Sequence, residues 1–276
     1  MLDTDWTTPA GSVTTTDFLT HGKDDSNDPG VGVVRRVECT AGSVDVEVDL
    51  VMRFDYGRTA PWVRRTHDPS GAEVVRATAG PHSLTLHGPR LTGRDATHHG
   101  RFHLEAGQTL TWSLTWRPSH LAVPVAPDVD AELAWLTRTW RRWRDEVDVQ
   151  GRYAEEVNDS LAVLRALTLH STGGIVAAPT TSLPEAIGGE RNWDYRYTWL
   201  RDSAFTIDAL ASHGHVHVAA HWRDWLLRAI AGDPEDLQIM YGVAGERDLP
   251  ESTLDHLAGY HASRPVRVGN GAYVQY

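Results

Sequence analysis

The stretch Leu121-Ala122-Val123-Pro124-Val125-Ala126-Pro127-Asp128-Val129-Asp130 divides this chain into two kinds of sequence. Before it, apolar residues recur at every second position. Val44, Val46, Val48, Leu50 and Met52 alternate with Asp45, Glu47, Asp49 and Val51, and Leu110, Trp112, Leu114 and Trp116 alternate with Thr111, Ser113 and Thr115. Period two is what a strand with one buried face requires, because successive side chains point to opposite sides. Val31–Val37 and Ser83–His87 are weaker strand candidates. Asp24–Gly30 and Asp68-Pro69-Ser70-Gly71 carry turn chemistry. Asp55–Arg58 and Pro61–Arg65 follow the best strand and read as an edge strand or a domain-interface piece.

After the proline-marked stretch the spacing changes to three and four. Leu133, Leu136, Trp140, Trp143 and Val147 predict a helix from about Ala131 to Val147, with Asp128 or Asp130 as its cap. Val157, Leu161, Leu164 and Thr168 mark a second helix. A third begins at Asp202, has Phe205 and Ala209 on one face, and stops at Gly214. A fourth starts near Val216, carries Val218, Trp222, Trp225 and Ala229, and ends before Gly232-Asp233-Pro234. Residues 233–276 are loop-rich. Strands followed by helices give an α+β, multidomain reading: 1–120 as an antiparallel β-sandwich, 121–150 as linker and linker helix, and 151–276 as a helical domain.

The function-bearing stretch is Arg191-Asn192-Trp193-Asp194-Tyr195-Arg196-Tyr197-Thr198-Trp199-Leu200-Arg201-Asp202. It holds four aromatics, three arginines and two aspartates. Arginine and carboxylate offer directional hydrogen bonds, and Trp and Tyr offer flat apolar faces. A sugar ring needs both, since its rim is hydroxylated and its C–H faces are apolar. A salt-bridged helix start with core aromatics would leave the same trace in the sequence.

The whole composition narrows the classes. A net charge of −11 over 276 residues argues against nucleic acid or an anionic membrane surface as partner. An apolar share of 41% allows a sizeable core. Cys39 is the single cysteine, so a reducing, cytoplasmic setting is expected, with the thiol serving as a small apolar strand residue. The start, Met1-Leu2-Asp3-Thr4-Asp5, lacks the basic and apolar regions of a signal peptide. His213, His215, His217 and His221 cluster at a helix junction, but no Glu follows His217 as a metalloprotease helix requires. The expectation is therefore exposed helix-end histidines and no metal. The glycine pairs Gly173-Gly174 and Gly188-Gly189 lack a phosphate-loop ending, and Ser171 and Ser182 lack a nucleophile-elbow setting.

The 191–202 stretch closely resembles the signature of glycoside hydrolase family 15, which includes glucoamylases, glucodextranases and actinobacterial trehalases. Leu237–Gly242 with Gly245–Glu251, and Gly259-Tyr260 through Ser263-Arg264-Pro265-Val266-Arg267-Val268-Gly269-Asn270, resemble two further motifs of that family in the same order. Val34–Glu38, Arg53–Arg58 and Pro61-Trp62-Val63 look like the β domain of its bacterial members. The resemblance implies a β super-sandwich, present here in part, followed by the first helices of an (α/α)6 barrel. It implies inverting exo-hydrolysis of an α-glucosidic bond, which needs two carboxyl groups across the bond, and no cofactor. Carried over residue by residue, Arg201 and Asp202 match the pair that holds the terminal glucose, Tyr195 and Trp199 match the walls of that subsite, and Tyr260 and Arg264 lie in a segment reaching the outer subsite.

In this family the general acid sits in a Trp-Glu motif downstream of the third match, and the base lies later still. The chain is accordingly expected to be a segment of a longer enzyme, supplying about two helical hairpins of six and no catalytic residue, with exposed barrel faces that favour self-association. Its expected partner is an α-glucoside or other small carbohydrate. One alternative is a non-catalytic sugar-binding or structural remnant of the same family. Another pairs Asp202 with Glu246 or Glu251 as catalytic carboxylates, against which stands the tendency of carboxylates beside arginine to stay ionised.

Overall fold

The structure is a computed structural model that describes residues 1–20, 30–147, 149–230, 235, 237–269 and 271. The turns expected at Asp24–Pro29 and Gly232–Pro234 lie outside these residues. The chain forms two compact units, Met1–Thr139 and Trp140–Tyr276. Among the described residues it is an α+β mixture of one large antiparallel sheet and four α-helices.

The first unit contains β1 (Leu2–Thr7), β2 (Gly11–Leu19), β3 (Val31–Leu50), β4 (Trp62–His67), β5 (Glu73–Ala79), β6 (His82–His87), β7 (Thr92–Arg94), β8 (Thr97–Glu105) and β9 (Thr109–Pro118). The main path runs β1-β2-β3-β9-β6-β5-β4. The long strand β3 contains both segments that the sequence presents as separate strands. Its first half pairs with β2 and β9, as in Val33↔Leu114, and its second half pairs with β8, as in Val46↔Phe102. The handover falls near Gly42, which takes φ +65° where a Cβ would meet the Ala10 carbonyl oxygen at 2.1 Å. No other residue type fits that close approach.

One core fills the space between the main path and the β8 branch. Val37, Cys39, Val75, Ala77, Leu86, Leu104 and Trp112 are buried there, with Val44, Val46, Val48, Leu50 and Phe102 packed against them. The alternation along β3 and β9 thus does what period two predicts, and Cys39 is a buried apolar residue. The main path ends in β1 and β4, and β4 carries exposed Trp62 with the Arg64 guanidinium 5.3 Å from its ring. Cations on an outer strand discourage pairing with another chain.

The opposite face of the main path buries polar groups: Arg76, Thr85, His87, Ser113 and Thr115. Arg76 Nη2 donates to the carbonyls of Ser119 (2.8 Å) and Leu121 (3.0 Å), so the proline-marked stretch lies over this face. The turn between β4 and β5 is built on Asp68. Its carboxylate accepts from Ser70 N–H (2.8 Å), Ser70 O–H (2.6 Å) and Ala72 N–H (3.0 Å), while Gly71 takes φ +87°. Buried His87 places Nε2 at 3.2 Å from the same carboxylate.

The helices are α1 (Val129–Asp145), α2 (Ala154–Ala166), α3 (Leu200–Ser212) and α4 (Val216–Ile230). Asp128 caps α1, accepting from Ala131 N–H at 3.0 Å. In α3 the buried stripe is Ser203, Thr206 and Leu210, whereas Phe205 is 70% exposed. The face marked by Phe205 and Ala209 is therefore not the packed one. Gly214 closes α3 with φ +90°, with His215 N–H on the Leu210 carbonyl (2.9 Å) and Gly214 N–H on that of Ala211 (3.0 Å). This Schellman arrangement turns the chain directly into α4.

The second unit's apolar groups form small separate clusters. Trp143, Leu161, Leu210 and Val218 make one; Trp225, Ala229 and Tyr241 make another; Met240 and Leu249 make a third. Two-residue strand pairs join the loops: β10 (Thr198–Trp199) with β11 (Met240–Tyr241), and β12 (Ser252–Thr253) with β13 (Arg267–Val268).

Candidate functional site

The 191–202 stretch enters as a backbone-tied loop and leaves as a helix. Ala178 N–H donates to the Tyr195 carbonyl and Ala177 N–H to that of Tyr197, both at 3.0 Å. Asp194 N–H donates to the Arg267 carbonyl at 2.9 Å. Thr198 and Trp199 then pair with Tyr241 and Met240, and Leu200 N–H reaches the Ile239 carbonyl at 3.2 Å. Helix α3 starts where that pairing ends. Its N-cap is Trp199, whose side chain makes no capping bond. Tertiary pairing sets this boundary in place of a Ser or Asp cap.

Three buried or paired groups hold the loop. The Asp194 side chain is 1% exposed, and its two oxygens accept from Arg196 N–H (3.0 Å), Nε (3.0 Å) and Nη2 (2.8 Å). Asn192 Nδ2 donates to the Arg264 carbonyl at 2.9 Å, and Arg264 N–H donates to that of Gly189 at 2.9 Å. The guanidiniums of Arg267 and Arg191 lie 4.2 and 5.3 Å from the Trp193 ring. Arg191 also binds Glu185 through two bonds (2.6 and 3.3 Å), which raises the arginine's pKa and lowers that of the glutamate.

On this frame sit the residues singled out by the sequence. Tyr195 and Trp199 meet edge to face, with ring centroids 5.6 Å apart, and Tyr197 adds a second perpendicular ring 6.4 Å from Trp199. Arg201 and Asp202 occupy the first turn of α3, with Arg201 Nη2 3.1 Å from Asp202 Oδ2. Arg201 is exposed and Asp202 half-buried. An acid in a helix's first turn is favoured by the backbone dipole. The structure thus brings Tyr195, Trp199, Arg201 and Asp202 onto one strand-to-helix junction. Arg264 is drawn beside Gly189 and Asn192 through its backbone, while Tyr260 is exposed and stacks edge-on with His261 at 5.4 Å. Among the described residues, no hydrogen bond or ring contact joins the Tyr260 or Arg264 side chains to the other four.

The alternative carboxylates have other work. Glu246 Oε2 accepts from Ala244 N–H at 3.0 Å, and its backbone carbonyl accepts from Gly242 N–H at 2.8 Å. A Cβ at Gly242 would lie 2.0 Å from that same carboxylate oxygen, so glutamate and glycine together form one tight turn. Glu251 faces Arg267 at 3.5 Å. Asp194 and Asn192 were visible in the stretch but carry no assigned role from sequence; their burial marks them as the supports. The Asp-x-Arg spacing was the one available signal for the Asp194–Arg196 pair.

Residues 151–276 match the sequence pattern of "Glycosyl hydrolases family 15". Through these residues, the chain is similar to glycosyl hydrolase family 15. Trehalase of Mycolicibacterium smegmatis is 38% identical over 257 residues, covering 88% of this chain and 37% of that protein. Trehalase of Mycobacterium tuberculosis is 35% identical over the same shares. Trehalase of Thermoplasma volcanium is 33% identical over 244 residues, 88% of this chain and 38% of its own length. The chain therefore spans well under half the length of these relatives. Their matches extend across the sheet unit as well as the family 15 segment. No helix among the described residues is long and apolar enough to cross a membrane.

Proposed function

We propose that this chain is the glucose-holding segment of an inverting, exo-acting α-glucoside hydrolase, with trehalose as the favoured substrate. The observation that carries this reading is the Arg201–Asp202 pair, 3.1 Å apart on the first turn of α3 and next in sequence to the perpendicular Tyr195–Trp199 rings. The guanidinium supplies donors and the carboxylate acceptors for vicinal hydroxyls, and the aromatic edges supply apolar contact for ring C–H groups. Because Asp194 and Asn192 lock the loop, the pair is fixed before substrate arrives, which lowers the ordering cost of binding. The trehalase relatives favour a small disaccharide over a polymer end.

In this reading α2, α3 and α4 belong to the first hairpins of an (α/α)6 barrel, and Tyr260 and Arg264 face the outer sugar. Inversion needs a proton donor and a base about 6.5–9.5 Å apart across the bond. Four carboxylates near the stretch are engaged otherwise: Asp194 binds Arg196, Asp202 binds Arg201, Glu246 closes its own turn and Glu251 faces Arg267. The chain then binds α-glucosides and does not cleave them.

The test is calorimetry of trehalose, maltose and isomaltose with the purified chain, alongside a glucose-release assay. The expected result is binding that Arg201→Ala weakens by about 1.5–3 kcal/mol, the usual value for hydrogen bonds to a charged group. Release of glucose from trehalose by the chain would overturn the assignment of a purely binding role. Binding unaffected by Arg201→Ala would remove the pair from the site.

A further inference from the structure

The histidine cluster at the α3–α4 junction acquires in three dimensions the partner that its sequence neighbourhood lacks. Glu146, in the turn after α1, comes up against the junction, and its carboxylate oxygen and one ring nitrogen each of His215 and His217 all lie within 4.8 Å of one another. We propose that Glu146, His215 and His217 form a divalent metal site of the zinc class, which staples the end of α1 to the α3–α4 turn.

Two nitrogens and one carboxylate oxygen are a donor set that suits zinc, leaving the fourth tetrahedral position for water. Ligand atoms around tetrahedral zinc stand about 3.3 Å apart, given metal–ligand bonds of about 2.0–2.2 Å. The ligand atoms already lie within 4.8 Å of one another, and exposed Glu146 and His217 are free to rotate toward that spacing. His215 is the fixed member. It is buried, its ring stacks on Trp143 at 4.1 Å and 11°, and its Nδ1 already sits 3.7 Å from Glu146 Oε2. The Schellman bonds of Gly214 and His215 fix the backbone beneath it.

The α1 side is held just as closely, since a Cβ at Gly214 would come within 3.2 Å of Val147 Cγ2. The exposed pair gives the ion its path from solvent. Arg165 and His213 also face this group. The Arg165 charge opposes a bound cation, and the Glu146 carboxylate offsets it.

The site is tested with the whole chain, freed of any affinity tag, by titrating zinc against a chromophoric chelator and recording the visible spectrum of the cobalt-substituted protein. The expected result is one zinc per chain and the intense band of four-coordinate cobalt. His217→Ala and Glu146→Gln should each weaken zinc binding by at least about tenfold, as loss of metal-site partners does. His221→Ala, one turn further along α4, should leave it unchanged. Both ligand positions are exposed, so far-UV circular dichroism and metal-free melting of these variants should match the parent. Wild-type chain without a zinc equivalent, or zinc bound equally by His217→Ala and Glu146→Gln, would overturn the proposal. Because the readouts are metal binding and spectrum, they are independent of whether the chain binds a glucoside.

Discussion

The two units solve the burial problem differently. The sheet unit gathers its apolar side chains into one continuous core drawn from most of its strands. The helical unit divides its own among small clusters, and its loops are tied by polar contacts such as buried Asn192 to the Arg264 carbonyl and by two-residue strand pairs. A single core spreads the loss of one side chain over many neighbours. In a small cluster one large residue can be most of the packing, so the helical unit should fail at single points where the sheet unit yields gradually.

Trp225 is the sharpest such point. It is 1% exposed, packs edge-on against Tyr241 at 5.8 Å, and donates from Nε1 to the Val243 carbonyl at 3.0 Å. Trp225→Ala should cost about 3–5 kcal/mol, the usual loss for a buried aromatic. Limited proteolysis should then cut within 140–276 and leave the sheet unit intact; uniform digestion of both units would erase the contrast.

A smaller effect is expected on the sheet side, and it depends on pH. Asp68 is held down to about 2, first by the Ser70 hydroxyl and then by the backbone N–H groups of Ala72 and Ser70, against the opposing effect of burial. The unfolded carboxyl takes up its proton first, near its ordinary value of about 3.9. The bonds to ionised Asp68 therefore stabilise the fold fully above about pH 4, and that contribution is lost as the pH falls through 2. His87 adds to this direction from a higher window. Burial lowers its pKa despite Asp68, so stability also declines as the pH drops below the ordinary histidine value of about 6.5. Asp68→Asn should lower the urea midpoint of the sheet unit at pH 7 and flatten its dependence between pH 4 and 2. An unchanged acid limb would show that the turn does not contribute.

The mildest change is Asp128→Ala, which removes the α1 cap. It should cost about 0.5–2 kcal/mol, read as a small drop in melting temperature without loss of either unit. A loss as large as that of Trp225→Ala would mean that α1 is far more central than its single cap bond suggests.

How much of this was legible depended on local periodicity. Val44–Leu50 and Leu110–Trp116 announced themselves because one face of each is apolar. The strands β1 and β2 did not, since Thr4, Thr7 and Thr14–Thr16 give them little apolar alternation and β1 is largely exposed. Hydropathy also misplaced Phe205, because the packed stripe of α3 uses the small polar residues Ser203 and Thr206 beside Leu210. At the site, the Arg201–Asp202 pair and the Tyr195–Trp199 contact were readable as neighbours in sequence. The meeting of Glu146 with His215 was not, as it depends on how the end of α1 comes to the α3–α4 turn.

The length of β3 has a consequence for how this protein is made. The strand ends at Leu50, yet one of its main-path neighbours, β9, ends at Pro118. At about 5–20 residues per second of synthesis, β3 waits roughly 3 to 14 s before that side can be covered. During this interval an unpaired strand edge stands open to pairing with other chains.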